Sequence, residues 1–359
     1  MNRLSLLRRA APLAALSLLF ACAPSAPDKD GGGAATPTPS RTAKPAAAAK
    51  IRLGTWNIEH LGSRTMFQNR PDAPPDRTPA QWEQVAAFIA QMQVDVLAVQ
   101  EIFNPASLQR LLTHLGDDYR FVLGTTGVYG ETRISVGFLW NHTRVQLLHC
   151  GEMSDFPSKV GDLSVYHRKP VNAAFRVILP DGSKGLDFRA ITVHMKASRG
   201  TKNENKRSAE ARILVDYIHK LAQDSGEDQD IVVLGDFNHT YGAPACQVFT
   251  AGDVLQYTRP AQGVALQPTI VWFDEPIDHI ALSQNIRAAL LPDSYRVHNQ
   301  LVDWELSGDA LTASKAAWRT TYSDHFPVTV ELQSGRDLDP DATLTKAGSA
   351  LQTGAAQGK

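Results

Sequence analysis

Six short stretches of this sequence end an apolar run on a polar residue able to do chemistry. TWNIE carries Asn57 and Glu59, DVLAVQE ends on Gln100 and Glu101, ITVHMK carries His194, and IVVLGDFN ends on Asp236 and Asn238. PIDHIAL carries Asp278, and SDHFPV carries Asp324 and His325. Asp236 and Asn238 are two apart, so an extended chain turns both side chains to one side. Taken singly, each stretch is ordinary: polar strand ends begin loops, and Asp-Phe-Asn after a glycine makes an Asx turn. Six together at strand ends match the rim where layered α/β proteins collect functional groups.

The residue types cohere chemically. Carboxylates with an amide oxygen are ligands for a hard cation, Mg²⁺, Mn²⁺ or Ca²⁺. Glu101 is the best single ligand, with Asn57 and Asp324 beside it. No pair of histidines has zinc spacing and no cysteine pair exists, which argues against zinc. Two histidines with acids to orient them suit acid–base work near neutral pH. The sequence has no Gly-rich P-loop and no G-x-S-x-G elbow, which argues against a nucleoside triphosphatase or a serine hydrolase. Metal-assisted hydrolysis of a phosphate ester is the chemistry that remains.

These groups need strands to place them. Runs rich in β-branched residues cover 51–58, 95–102, 134–141, 171–179, 186–195, 230–238, 276–283 and 326–332. Thr78-Pro79-Ala80-Gln81 is a capping box with proline at the first helical position. It opens a helix with Trp82, Val85, Phe88, Ile89 and Met92 as its apolar stripe. A second helix begins after Lys202 and carries Ala209, Ile213, Leu214, Tyr217, Ile218 and Leu221. Strands buried on both faces, alternating with amphipathic helices, require layers of helix on sheet, and the mixed spacings require mixed sheets.

Length and composition bound the rest. A chain of 359 residues holds one large α/β domain or two ordinary ones. A formal charge of −1 announces no nucleic acid or other anionic partner, although a local basic patch is compatible with it. Residues 1–21 read as a secretory signal: Arg3, Arg8 and Arg9 precede a short apolar run ending at Cys22. Leu19-Phe20-Ala21-Cys22 resembles a lipobox, making Cys22 a lipidation site; ordinary signal cleavage and an uncleaved anchor are the alternatives. Residues 22–50, rich in Pro, Ala and Gly, read as a disordered linker, and 334–359 as a disordered tail. One domain spans 51–333. Cys150 and Cys246 allow one intramolecular disulfide, or are two separate small apolar residues.

The order TWNIE, QE, VHMK, GDFN, IDHI, SDHFPV resembles the endonuclease/exonuclease/phosphatase family, the DNase I-like fold, over about residues 51–333. The resemblance implies a four-layer α/β sandwich: two mixed β-sheets packed face to face, with helices outside. It implies that Asn57 and Glu101 hold the metal and that Asp236 and Asn238 position water and phosphate. It pairs Asp278 with His325 as acid and imidazole, puts Asp324 near the cation, and makes His194 a second catalytic histidine. Arg168, in YHRKPV, resembles an arginine that contacts substrate phosphate. Glu131 is assigned loosely to orienting His194. Glu59 and His60 receive no role, and His279, alternating away from Asp278, is structural.

The implied mechanism is in-line attack by water prepared by His325, with His194 serving the leaving oxygen. The expected function is a metal-dependent phosphodiesterase, foremost an exported DNA or RNA endonuclease. It would be lipid-anchored to a bacterial envelope membrane, or periplasmic or secreted, with no protein partner and monomeric. Residues 199–207, RGTKNENKR, are expected as a basic loop beside the site, with a plain solvated loop as the alternative. The alternatives are a phospholipid or inositol phosphate hydrolase, which would want an exposed aromatic loop around Trp304 and Trp318, and a non-catalytic surface binding protein.

Overall fold

The structure is a computed structural model that describes residues 50–64, 74–129, 132–224, 226–335, 337 and 351–355, all within the unit Pro45–Lys359. Cys22, Glu131, the signal segment and all of the linker except Lys50 lie outside the described residues. In chain order come β1 (Lys50–Leu61), α1 (Pro79–Met92), β2 (Val96–Ile102), α2 (Pro105–Leu115), β3 (Tyr119–Leu123), β4 (Val128–Tyr129), β5 (Thr132–Arg133), β6 (Ser135–Asn141), β7 (Val145–Glu152), β8 (Lys159–Val160) and β9 (Leu163–Ser164). There follow β10 (Val171–Ile178), β11 (Lys184–His194), α3 (Thr201–Ala222), β12 (Ile231–Asp236), α4 (Pro244–Thr250), β13 (Gln256–Tyr257), β14 (Asp278–Leu282), α5 (Gln284–Arg287), β15 (Arg296–Val297), α6 (Gly308–Thr321), β16 (Val328–Gln333) and β17 (Gln352–Ala355).

Two mixed sheets carry the fold. The seven-stranded sheet has the order β15-β16-β1-β2-β6-β3-β17, and the six-stranded sheet has the order β13-β14-β12-β11-β10-β7. Their inner faces share one core: Ile51, Leu53, Phe138 and Val330 from the first meet Phe175, Phe188, Leu234 and Ile280 from the second. The outer face of the first sheet packs Trp56, Leu97 and Val99 against Trp82, Phe88 and Ile89 of α1 and Leu108 and Leu111 of α2. The outer face of the second packs Ile191, Val233 and Ala281 against Leu214 and Ile218 of α3 and Phe249 of α4. This is the four-layer sandwich expected from the sequence.

The two-residue period of the strands places the chemistry. In β1, Ile51 and Leu53 face the second sheet, so Asn57 does too. In β11 and β12, Phe188 and Ala190, and Val232 and Leu234, set the inner parity that ends on His194 and Asp236. In β14, Ile280 and Leu282 set it for Asp278, while His279 turns outward. Register then aligns the row: His194 lies opposite Asp236 across the parallel β11–β12 pair, and Asp236 opposite Asp278 across the antiparallel β12–β14 pair. Gly235 permits this approach. At φ 152° it stands where an added Cβ would lie 2.0 Å from the Val193 carbonyl oxygen.

Two local expectations change. The segment 199–207 is a helix from Thr201, not a loop, and Arg207 turns back to donate to the carbonyls of Lys196 and Ser198. Those two carbonyls recruit the cation the composition assigns to solvent. Within the expected disordered tail, Gln352–Ala355 pairs antiparallel with Arg120–Leu123. Gly354 allows that pairing, because a Cβ there would meet the Phe121 ring at 2.2 Å. Of the two alternatives for the cysteines, the structure has the second. Cys150 and Cys246 are free thiols, one beside the inter-sheet core and the other in the core under α3.

Candidate active site

The six polar strand ends converge between the two sheets. From the first sheet, Asn57 ends the inner row of β1, and Ser323 Oγ donates to the Asn57 carbonyl at 2.6 Å. The same Ser323 Oγ accepts the His325 backbone N–H at 3.0 Å, and Trp56 Nε1 donates to the His325 carbonyl at 3.1 Å. The SDH turn is thereby fixed to the strand before it. Gln100 donates to Thr55 and Thr192 hydroxyls at 3.1 Å each, a buried polar tie across the sheets just below the site. Glu101 breaks its strand's alternation with φ 61°, and Glu59, His60 and Asn238 also have positive φ, 35°, 50° and 51°. Left-handed backbone at non-glycine residues is strained and clusters where a site demands it.

Asn57 Nδ2 donates to Glu101 Oε1 at 3.2 Å and to Asp236 Oδ2 at 3.1 Å, spanning the two sheets. His194 Nε2 lies 3.4 Å from Asp236 Oδ2 and 3.8 Å from Glu101 Oε1. His325 Nδ1 hydrogen-bonds Asp278 Oδ2 at 2.9 Å, and its Nε2 lies 3.8 Å from Asp236 Oδ2 and 3.9 Å from Asp324 Oδ1. Asp278 is held in turn by Thr269 Oγ1, which accepts its backbone N–H at 3.0 Å. The carboxylate that orients His325 is thus the distant Asp278, not its chain neighbour.

The two histidines are driven apart electrostatically. Burial, with Arg168 adding to it, pulls His194 well below the ordinary imidazole range and keeps it neutral. Burial also acts to lower His325, but Asp278, Asp236 and Asp324 outweigh it and hold the ring as an imidazolium. Burial pushes Asp236 up to about 7, with Asp278 adding and His325 opposing. Burial would raise Glu101 too, yet His60, His194 and His325 around it bring it down to about 2. Groups with environments this divergent mark acid–base roles.

Two assigned residues act inside the protein. Arg168 Nε and Nη2 donate at 2.9 Å each to the carbonyls of His194 and Met195, bracing the end of β11. Asn238 Nδ2 donates to the Met195 carbonyl at 3.1 Å, and its backbone N–H donates to Asp236 Oδ1 at 2.7 Å. Both groups therefore position His194 and Asp236. His279 Nε2 donates to the His239 carbonyl at 2.8 Å among Phe237, Tyr241 and Tyr257, a structural role as expected.

Sequence reasoning misses the cationic floor. Buried Glu59 accepts from Arg319 Nε at 2.7 Å and from Arg64 Nη2 at 3.2 Å. Arg77 donates to the Ile58 carbonyl at 2.8 Å and to the Tyr322 carbonyl. Arg64 and Arg77 lie in a polar, proline-rich stretch that reads as surface loop, and no periodicity flags a buried cation there. His60 also joins the site; its Nδ1 stands 3.1 Å from Glu101 Oε2.

The donor set fits a hard divalent cation. Glu101, held ionised, is the carboxylate best suited to it; ligand atoms of Asp236, Asp278 and His325 also lie within 4.8 Å of one another, but a protonated His325 ring bonded to Asp278 has no lone pair for a metal. This cluster differs from the expected set of Asn57, Glu101 and Asp324. Asn57 turns its amide nitrogen to the carboxylates while its Oδ1 accepts the Glu59 N–H at 3.1 Å. Ligation through that oxygen requires the amide to turn over.

The endonuclease/exonuclease/phosphatase family model matches residues 54–325, a span containing every residue of the row. The chain belongs to this family. Endonuclease/exonuclease/phosphatase family domain-containing protein 1 of Mus musculus is 21% identical over 309 residues, covering 80% of this chain and 50% of that protein. A deoxyribonuclease of Thioalkalivibrio sp. (strain K90mix) is 26% identical over 199 residues, covering 54% of this chain and 47% of that one. The chain thus spans about half the length of the curated relatives it matches. A family member of known structure from Bacteroides thetaiotaomicron superposes with a TM-score of 0.55 at 17% identity, covering 81% of this chain and 100% of that one. Its two-sheet frame is the family's.

Proposed function

We propose that this chain is a phosphodiesterase acting on nucleic acid, an endonuclease that cleaves by in-line attack of water. The observation that carries the reading is a neutral and a protonated imidazole, His194 and His325, facing one carboxylate, Asp236, in a buried row. A carboxylate raised to about 7 is suited to taking a proton from water near neutral pH. This shifts the base from His325, where the sequence reading puts it, to Asp236. His325, already an imidazolium, hydrogen-bonds a phosphoryl oxygen as negative charge develops on it. His194, with Nε2 aimed into the row, steadies the leaving oxygen. Asp278 fixes the His325 ring through Nδ1, which leaves Nε2 for substrate.

Glu101 and Asp324 would hold the divalent cation, with Asn57 once its amide turns over. When bound, the cation neutralises charge on the phosphoryl group. The deoxyribonuclease among the relatives supports nucleic acid as the substrate class. Of the aromatic region considered for membrane contact, Trp318 is buried, while Trp304 packs one side of its ring on Phe326 at 5.9 Å and stays exposed beside Leu301 and Leu306, which keeps the lipid phosphodiesterase as the second reading. Export, anchoring at Cys22 and a monomeric state belong to the same proposal. Incubating the purified protein with supercoiled plasmid and Mg²⁺, with and without EDTA, is the test. Nicking abolished by EDTA is expected; intact plasmid in both arms would overturn the reading.

A further inference from the structure

His60 has no part in the proposed mechanism, yet the backbone is bent out of regular pairing to place it. The parallel register of β1 on β2 runs unbroken from Leu53 to Asn57, then shifts before Leu61 meets Ile102. Glu59 and His60 fill that shift on left-handed backbone, at φ 35° and 50°. Glu101, on the neighbouring strand, is left-handed too, at φ 61°. Such backbone is unfavourable for residues that carry a Cβ, and hydrogen bonds on both sides of His60 hold it. The Glu59 carbonyl accepts from Arg77 Nη1 at 3.3 Å, and the Leu61 carbonyl accepts the Phe103 N–H at 2.9 Å.

The bend produces one contact. His60 Nδ1 stands 3.1 Å from Glu101 Oε2, and both side chains are largely buried, 15% and 17% exposed. The other carboxylate oxygen, Oε1, accepts Asn57 Nδ2 at 3.2 Å. Two ligands held at ~2.1 Å and at right angles on one octahedral cation are about 3.0 Å apart. The His60–Glu101 spacing is therefore that of neighbouring ligands on one ion. A plain tie between strand ends is the competing account, since a direct hydrogen bond has the same length. Asparagine, which tolerates left-handed backbone and can donate, would make that tie without an imidazole.

We infer that His60 is a ligand of the cation held by Glu101, placing one imidazole nitrogen among oxygen donors and giving the site a preference for Mn²⁺ over Mg²⁺. The inference rests on Glu101 holding the cation and is independent of which phosphate ester is the substrate. Mg²⁺ takes oxygen donors and gives up its water reluctantly. Imidazole favours first-row transition ions, among which Mn²⁺ also accepts carboxylate and water. Asn57, Glu101 and Asp324 alone would not discriminate in this way.

The test adds Mn²⁺ alone to the metal-stripped protein. Electron spin echo envelope modulation reads the coupling of a ligand nitrogen to the Mn²⁺ spin, and competition with Mg²⁺ gives the two Kd values. Wild type is expected to show the coupling. His60→Ala should lose it and raise the Mn²⁺ Kd about tenfold or more, with the Mg²⁺ Kd changed less than about threefold. His60→Asp, which left-handed backbone tolerates, should bind without the coupling and prefer Mg²⁺. A wild type that binds Mn²⁺ through Glu101, as shown by its loss in Glu101→Gln, but gives no nitrogen coupling would overturn ligation by His60 and leave the Glu101 site standing. Coupling that persists in His60→Ala would assign the nitrogen to His194 and overturn it as well. Mn²⁺ affinity unmoved by Glu101→Gln would overturn both.

Discussion

Replacing Asp278 by Asn tests the electrostatic core of the mechanism. The carboxylate sits 2.9 Å from His325 Nδ1, and both groups are buried. Asparagine keeps the size and one acceptor oxygen but removes the charge. Its amide can also turn over and donate to Nδ1, which would hold the ring as the neutral Nε2–H form and remove the positive charge facing substrate. At an effective dielectric of ~20, a unit charge pair at ~4 Å is worth about 4 kcal/mol, which bounds the lost stabilisation of the imidazolium at about 10³-fold. Acid–base groups contribute about 10²–10⁴-fold in general. Turnover in Asp278→Asn should therefore fall about 10²–10³-fold with KM little changed, because the loss falls on charge that develops in the transition state. The assay is steady-state hydrolysis of a labelled oligonucleotide or bis(p-nitrophenyl) phosphate with saturating Mg²⁺, and circular dichroism checks the fold. A kcat within about threefold of wild type would remove the Asp278–His325 pair from the mechanism.

Glu59→Ala leaves Arg64 and Arg319 without their buried counterion and should cost about 3–5 kcal/mol in urea unfolding; a loss under ~1 kcal/mol would show the floor to be dispensable. Burial lowers His279 to about 3, so its contribution to stability is present above the unfolded value near 6.5 and is lost as pH falls below it. Wild type should accordingly lose about 2 kcal/mol from this group between pH 7 and pH 5. His279→Phe should lack that loss, so the stability gap between the two proteins narrows by that amount in acid. Mg²⁺ at about 100 times its Kd should stabilise the EDTA-treated protein by about 2.7 kcal/mol. Glu101→Gln should weaken that gain markedly, and a gain unchanged in this variant would take Glu101 out of the ligand set.

Much of this site is legible in the residue pattern alone, for a physical reason. Alternation in strands is local, so apolar residues such as Val232 and Leu234 fix the inward direction of Asp236 two positions on. The same rule turns His279 outward, as observed. It fails wherever partners are distant or parity is broken. Glu101 points inward only because its backbone is left-handed, and no residue type announces that. Arg207 and Arg168 read as solvent- or substrate-facing, because the carbonyls they satisfy come together only when strand ends meet. Arg64 and Arg77 are invisible for the same reason.

The row is split between layers. Asn57, Glu101, Asp324 and His325 come with one sheet, and His194, Asp236 and Asp278 with the other. The hydrogen bonds from Asn57 to Asp236 and from His325 to Asp278 cross the gap, like stitches along a seam. Neither sheet alone contains the chemistry, so activity reports on how the layers sit against each other. A slip of about 1 Å between them costs on the order of 10²-fold in rate while leaving every strand intact. Phe138, Phe175 and Phe188, which fill the interlayer core, therefore tune catalysis without touching a substrate.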